Sequence, residues 1–192
     1  MKLIILPKGL SEDLLNYDLS QIESKEFDDL IDELKQIDNE VNISTINLGK
    51  GADWVLILII LGSIGGVISY GDKLEKGIEG WTKIGKRLIN LFKKSDRVYV
   101  DEDGAKILAI TYISEKYNIK SITLLDNHTT FLADFSSWFN QRDPKDFTSK
   151  PFNIYNLTFD INNERTISLC IKSNGEIIEL LNTDKEFIDH SF

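Results

Sequence analysis

The chain has 192 residues, 42% of them hydrophobic and 10% aromatic, with 22 Lys and Arg against 31 Asp and Glu and a formal net charge of -9. At this length roughly 70% of the unfolded surface leaves water on folding, enough for one large domain or two small ones. The apolar content and only 3 Pro exclude a disordered chain, a single Cys excludes a disulfide framework or a zinc site with two or more thiolates, and the acidic balance argues against nucleic acid as partner.

Lys2–Leu6 reads as a short strand closed by Pro7-Lys8-Gly9. Its brief apolar run lacks a small-residue cleavage site, so it is not a secretory signal, and a cytoplasmic location is expected. Ser11 and Ser24 are good N-caps for two helices. The second carries Phe27, Leu30, Ile31, Leu34 and Ile37 on one stripe, with the acids Asp28, Asp29, Asp32 and Glu33 crowding the other positions. Those four acids are the first candidates for contact with a partner protein. Val41–Leu48, rich in β-branched residues, reads as a strand.

Trp54–Gly71 is a run of 18 uncharged residues bracketed by Asp53 and Asp72. As a helix it rises about 27 Å, short of the roughly 30 Å of a bilayer core. Gly62 and Gly66 share one helical face and permit close backbone approach, in lipid or in a protein core. The length deficit and the glycines favour a buried helix. The alternative is a membrane segment, placing the chain at the inner membrane with its C-terminal part cytoplasmic. In that reading the next helix, Lys73–Lys94, lies on an anionic surface through Trp81 and its basic residues. The basic island is real in the charge pattern: residues 1–53 carry net -7, residues 72–97 net +4 and residues 98–192 net -6. Its plainer reading is a solvated helix face with cations near the C-terminus, favoured by the helix dipole.

Arg97–Val100 reads as a strand, Asp101-Glu102-Asp103-Gly104 as a turn, Ala105–Tyr117 as a helix and Ile119–Asp126 as a strand. Thr130–Asn140, with Phe131, Phe135 and Trp138, reads as an aromatic helix. Ile154–Ile161, Thr166–Ile171 and Glu176–Leu181 alternate as a β-meander with polar turns between them. The expected fold class is α+β. Two β-α-β units form a ferredoxin-like split, with an inserted apolar helix and a basic amphipathic helix, followed by a C-terminal antiparallel β-meander. The expected division is an α+β domain over residues 1–126, with the helical insertion at 53–94, and a unit over residues 127–192.

Chemistry is thinly signalled. His128 follows a predicted strand, where an α/β enzyme can place a base, but no nucleophile or phosphate-binding motif accompanies it. A loop histidine in a turn hydrogen bond is the better reading. His190 is assigned no role. The Asp101–Gly104 stretch lacks the spacing of a calcium loop. Cys170 alternates within a strand and has no adjacent cation, so a catalytic thiolate is not expected. No catalytic residue, cofactor or metal is assigned.

The layout Gly51-Ala52-Asp53-Trp54, an apolar stretch ending in Gly65-Gly66, a basic helix with Trp81, then a strand and Asp103-Gly104 resembles small bacterial proteins called effector-associated constant components. These accompany NTP-dependent conflict systems. The resemblance spans roughly residues 40–110 and carries no catalytic residues. It implies a non-enzymatic adaptor beside an effector. Two other readings come from the residues themselves. One is an acidic immunity-type inhibitor steered to a basic toxin. The other is a membrane-anchored or membrane-inserting protein using residues 54–70.

Overall fold

The computed structural model describes residues 1–5, 32, 35, 40–47, 55–61, 68, 71, 73–75, 77–94, 98–131 and 153–185. Within them the fold is α+β, with two helices and two antiparallel sheets. The strands are β1 (Lys2–Ile5), β2 (Val41–Asn47), β3 (Val55–Leu61), β4 (Lys73–Leu74), β5 (Val98–Val100), β6 (Ile122–Phe131), β7 (Asn153–Ile161), β8 (Arg165–Lys172) and β9 (Ile177–Asp184). The helices are α1 (Ile78–Lys94) and α2 (Glu102–Lys116). Asp32 and Lys35 are helical, as the Ser24-capped stretch predicts.

One sheet has the order β2-β3-β1-β5, every neighbouring pair antiparallel. Its strand β3 corrects the expectation of an apolar helix over this stretch. Val55, Ile57, Ile59 and Ile60 are β-branched, which lose side-chain freedom in a helix and suit a strand. A short apolar run closed by glycines satisfies strand and buried helix equally by periodicity. Pairing decides the matter: β3 has partners on both sides, with Ile59 opposite Leu3 on β1 and Ile43 on β2. No helix among the described residues is long and apolar enough to cross a membrane.

The other sheet has the order β4-β6-β7-β8-β9. The C-terminal meander forms as the alternation predicts, with β7, β8 and β9 joined by tight turns. Asn162 and Asn163 take φ of 57° and 59° in the first turn. That left-handed pair forms the turn closed by the Glu164 amide on the Ile161 carbonyl within a three-residue connection, and asparagine tolerates the conformation better than most residues. β6 pairs β4 and β7, so it lies in this sheet and not beside β1. It runs on to Phe131, which puts His128 in mid-strand rather than in a loop and places Thr130 and Phe131 in the strand rather than at the start of a helix. The rest of the aromatic stretch, 132–140, lies outside the described residues.

The basic helix begins at Ile78, five residues later than predicted, because Lys73–Leu74 pairs with β6. The Asp101–Gly104 stretch is not a free turn. Asp101 is the N-cap of α2, its Oδ1 accepting the Gly104 amide at 3.0 Å, and Glu102 and Asp103 form the acidic first turn that a helix N-terminus favours.

Among the described residues α2 is the central element. It touches α1, β1, β5, β7 and β8. Ala105, Ile107, Leu108, Ala109, Ile110 and Ile113 are wholly buried, so the helix is apolar almost all round. α1 instead offers one stripe, with Leu88 and Leu91 buried and Trp81, Ile84 and Phe92 packed at its edge. The two helices meet at Gly85, where an added Cβ would stand 1.9 Å from Thr111 Oγ1 and 3.2 Å from the Ile107 carbonyl oxygen. The Thr111 hydroxyl is itself buried and donates to that carbonyl at 2.8 Å. The sheets join at Val100. Its N–H donates to the Ser173 carbonyl at 2.8 Å, and its carbonyl accepts the Tyr155 hydroxyl at 3.1 Å.

Gly85→Ala gains up to about 1 kcal/mol of helix propensity but overpacks the crossing, which costs about 1–3 kcal/mol. We expect a lower melting temperature for Gly85→Ala and recovery of part of the loss in Gly85→Ala/Thr111→Ala, read by thermal denaturation followed by circular dichroism.

Candidate functional site

Among the described residues, three places stand out for their polar groups or exposed apolar area. The first is a polar cluster at the N-terminus of α2. Capping places Asp101 there, and helical spacing places Lys106 one turn after Glu102. The Lys106 Nζ lies 2.8 Å from Glu102 Oε1, with its side chain only 9% exposed. β6 supplies two more donors from its inward face. Asn127 Nδ2 donates to Glu102 Oε1 at 2.7 Å, and Thr129 Oγ1 to Oε2 at 3.4 Å.

Burial pushes the Glu102 carboxyl upward, but the hydrogen bond and charge of Lys106, with Asn127 and Thr129, outweigh it and hold the group below its ordinary range. Asp101 goes the other way. Burial raises it, against the bonds it accepts from the Gly104 and Lys2 amides. Burial, with the nearby Asp101 and Glu102 charges, pushes the Tyr155 hydroxyl up to about 12, although the Asn153 amide donates to it. The result is a fixed ion pair in which both Glu102 carboxylate oxygens are engaged. Such a carboxylate is a weak proton acceptor, so the cluster serves position and charge rather than acid–base work.

The second place is a groove of about 1120 Å³ between the N-terminal half of α1 and the C-terminal end of α2. Thr82, Lys83, Lys86, Ser114 and Asn118 border it, and the Thr82 hydroxyl reaches Ser114 Oγ at 3.2 Å.

The third is β9, the outer strand of the five-stranded sheet. Its inward residues Glu179 and Asn182 are tied down: Glu179 accepts Lys116 at 2.9 Å and Tyr112 at 3.1 Å, and Asn182 donates to Tyr117 at 2.7 Å. Outward it shows Ile178 at 41%, Leu180 at 59% and Leu181 at 47% exposure. A bulge causes this. Leu181 lies opposite Ser168 and Glu179 opposite Leu169, so Leu180 is the extra residue between them and has no cross-strand partner.

The residues singled out from sequence fare differently. Asp32 is exposed and sits 3.8 Å from Lys35, while Asp28, Asp29 and Glu33 lie outside the described residues, as do Trp54, Gly62 and Gly66. Trp81 is half-buried and packs against the core. His128 is exposed on the outer face of β6, opposite Asn156. Cys170 is half-buried in β8, and burial raises its thiol, away from the thiolate. Among the described residues no group of three or more His, Cys, Asp and Glu is placed to hold a metal ion.

The Glu102–Lys106 pair and the β9 patch were the residues missed. The first leaves an i, i+4 acid–base signal, and the second leaves five residues, Ile177-Ile178-Glu179-Leu180-Leu181, that break strict alternation. The chain matches no family model, no curated protein and no solved structure.

Because the folded value of Glu102 is lowered, its stabilising contribution is fully present above the ordinary 4.5 and is lost as pH falls through the folded value. Glu102→Gln is expected to lower the melting temperature at pH 7. The gap from the unaltered chain should narrow as pH drops below 4.5, in thermal melts across a pH series.

Proposed function

We propose that this chain acts by contact with another protein, as a non-enzymatic adaptor beside an effector in a bacterial conflict or defence system. The observation that carries the contact reading is β9. A long outer strand with Ile178, Leu180 and Leu181 open to solvent is an apolar patch of the kind that marks a binding face. The saturated Glu102–Lys106 cluster supports the same reading, because its charges face each other and leave no group aimed at a substrate. The adaptor reading itself leans on the layout across residues 40–110.

The fold under that function is a pair of interleaved split β-α-β units. The order β2-β3-β1-β5 with antiparallel neighbours is the order such a split makes, with β1 and β3 as its central strands. In this arrangement β3 takes the third place, which the sequence pattern gives to Arg97–Val100, and β5 takes the fourth, which it gives to the strand beginning at Ile119. α1 connects β3 to β5, and the helical residues Asp32 and Lys35 fall between β1 and β2.

A photo-crosslinking amino acid at Leu180, introduced in the native host, is expected to trap one defined protein, whereas the same group at exposed Asn163 traps none. Ile178→Asp/Leu180→Asp should abolish recovery of that partner without lowering the melting temperature, since both side chains already face water. Absence of any adduct at Leu180, or catalytic turnover by the purified chain, would contradict the proposal.

A further inference from the structure

We propose that the solvent face of α1 is a second docking surface, fitted to a carboxylate-rich segment of a protein. It rests on charge and pairing rather than on the apolar edge of β9. Lys83, Lys86, Arg87 and Lys93 are all exposed. Positions 83, 86, 90 and 93 lie along one side of the helix, and ten residues at 1.5 Å each give a stripe about 15 Å long. The opposite side is already spent, with Leu88 and Leu91 in the core.

The grouping of unpaired cations sets this face apart, since Lys2 and Lys120 also lack an ion-pair partner among the described residues but lie on other elements. Lys73, Lys106, Lys116, Arg165, Lys172 and Lys185 each stand against a carboxylate. Lys83, Lys86 and Lys93 have no ion-pair partner among the described residues. In a chain with 31 acids and 22 bases, such cations have many acids to choose from, yet three of them are held together on one rigid face. The helix dipole accounts for Lys93 in the last turn. It gives nothing to Lys83 and Lys86, which lie well before it, because the effect fades within a turn of the end.

The shape of the surface favours one kind of occupant. Lys83 and Lys86 also form a wall of the groove between α1 and α2, where the Thr82 and Ser114 hydroxyls already donate to the Ile78 and Thr111 carbonyls and leave the two ammonium groups as the donors on that wall. Glu79, one turn before Lys83 on α1, and Glu75 and Glu115 on the same rim limit the positive field to α1 from Lys83 onward. A lipid surface is disfavoured, since the apolar side of α1 faces inward and cannot insert. A nucleic acid is disfavoured because binding a phosphate backbone needs a broad basic surface, whereas the cations here form one narrow stripe with Glu75, Glu79 and Glu115 on its rim. Separate carboxylates at helical or extended spacing fit separate ammonium groups one by one.

The probe is a fluorescent ten-residue glutamate peptide, titrated with the full chain at low salt and read by anisotropy. Binding is expected, weakening as salt rises, and about tenfold or more weaker in Lys83→Glu/Lys86→Glu. The control Lys2→Glu/Lys120→Glu makes the same change in net charge on exposed residues elsewhere and should leave affinity within about twofold, a difference too small to count beside a tenfold loss. The proposal is overturned if the peptide does not bind, or if both double variants lose affinity alike. It is equally overturned if a short DNA duplex or phosphatidylserine vesicles bind more tightly than the peptide.

Discussion

The burial of α2 on all sides is the constraint on which the rest of this structure depends. A helix with one apolar stripe can rest on a single layer. One in which Ala105, Ile107, Leu108, Ala109, Ile110 and Ile113 are all fully buried must be enclosed. β1 and β5 of one sheet, β7 and β8 of the other, and α1 supply the enclosure. The small residues are where the enclosing elements come closest. Gly85 lets α1 settle on Thr111, and Gly104 sits where an added Cβ would stand 2.5 Å from Val100 Cβ. Polar groups are then fixed around that apolar rod. Asp101 closes its first turn and holds β1 through the Lys2 amide, and Val100 ties the two sheets through Ser173 and Tyr155.

The electrostatics obey the same arrangement. Lys106 is almost wholly buried beside Glu102 and would be costly there alone, whereas Glu102 keeps part of its side chain in water. Together, with Asn127 and Thr129, they form a pair whose hydrogen bonds are met from two elements. The C-terminal end of α2 has a matching device in Tyr112, Lys116 and Glu179, which connects it to β9. Both ends of the helix are therefore pinned to the five-stranded sheet by charge, and its middle by apolar contact. The two surfaces proposed for contact lie outside this frame, on the outer edge of β9 and the solvent face of α1.

Much of this was legible in the residues, and the failures have physical causes. The meander was readable because β7 and β8 bury one face, which gives clean alternation, and because Asn162-Asn163 and Gly175 supply the turn conformations. α1 was readable from its stripe. Residues 55–61 were misread because a short, continuous apolar run looks the same whether it becomes strand or buried helix, and only its pairing with β1 and β2 separates the two. The N-terminus of α2 was read as a turn because Asp-Glu-Asp-Gly is turn-like in isolation. Asp101 becomes a helix cap only because the apolar residues from Ala105 onward continue as a helix. The end of β6 was misplaced for a tertiary reason, since Asn127 and Thr129 are polar residues facing inward to serve Glu102. The β9 patch was hidden by a bulge, a feature set by register across two strands and not by either strand alone.

Native-state hydrogen exchange tests the central claim most directly. If α2 is the shared core, its amides from Ala105 to Ile113 exchange last, only through global unfolding, and β1, β5, β7 and β8 lose protection in the same event. Exchange from α2 while β7 and β8 stay protected would contradict the account, because the helix would then be a cover on an independent sheet and not the element both sheets are built around.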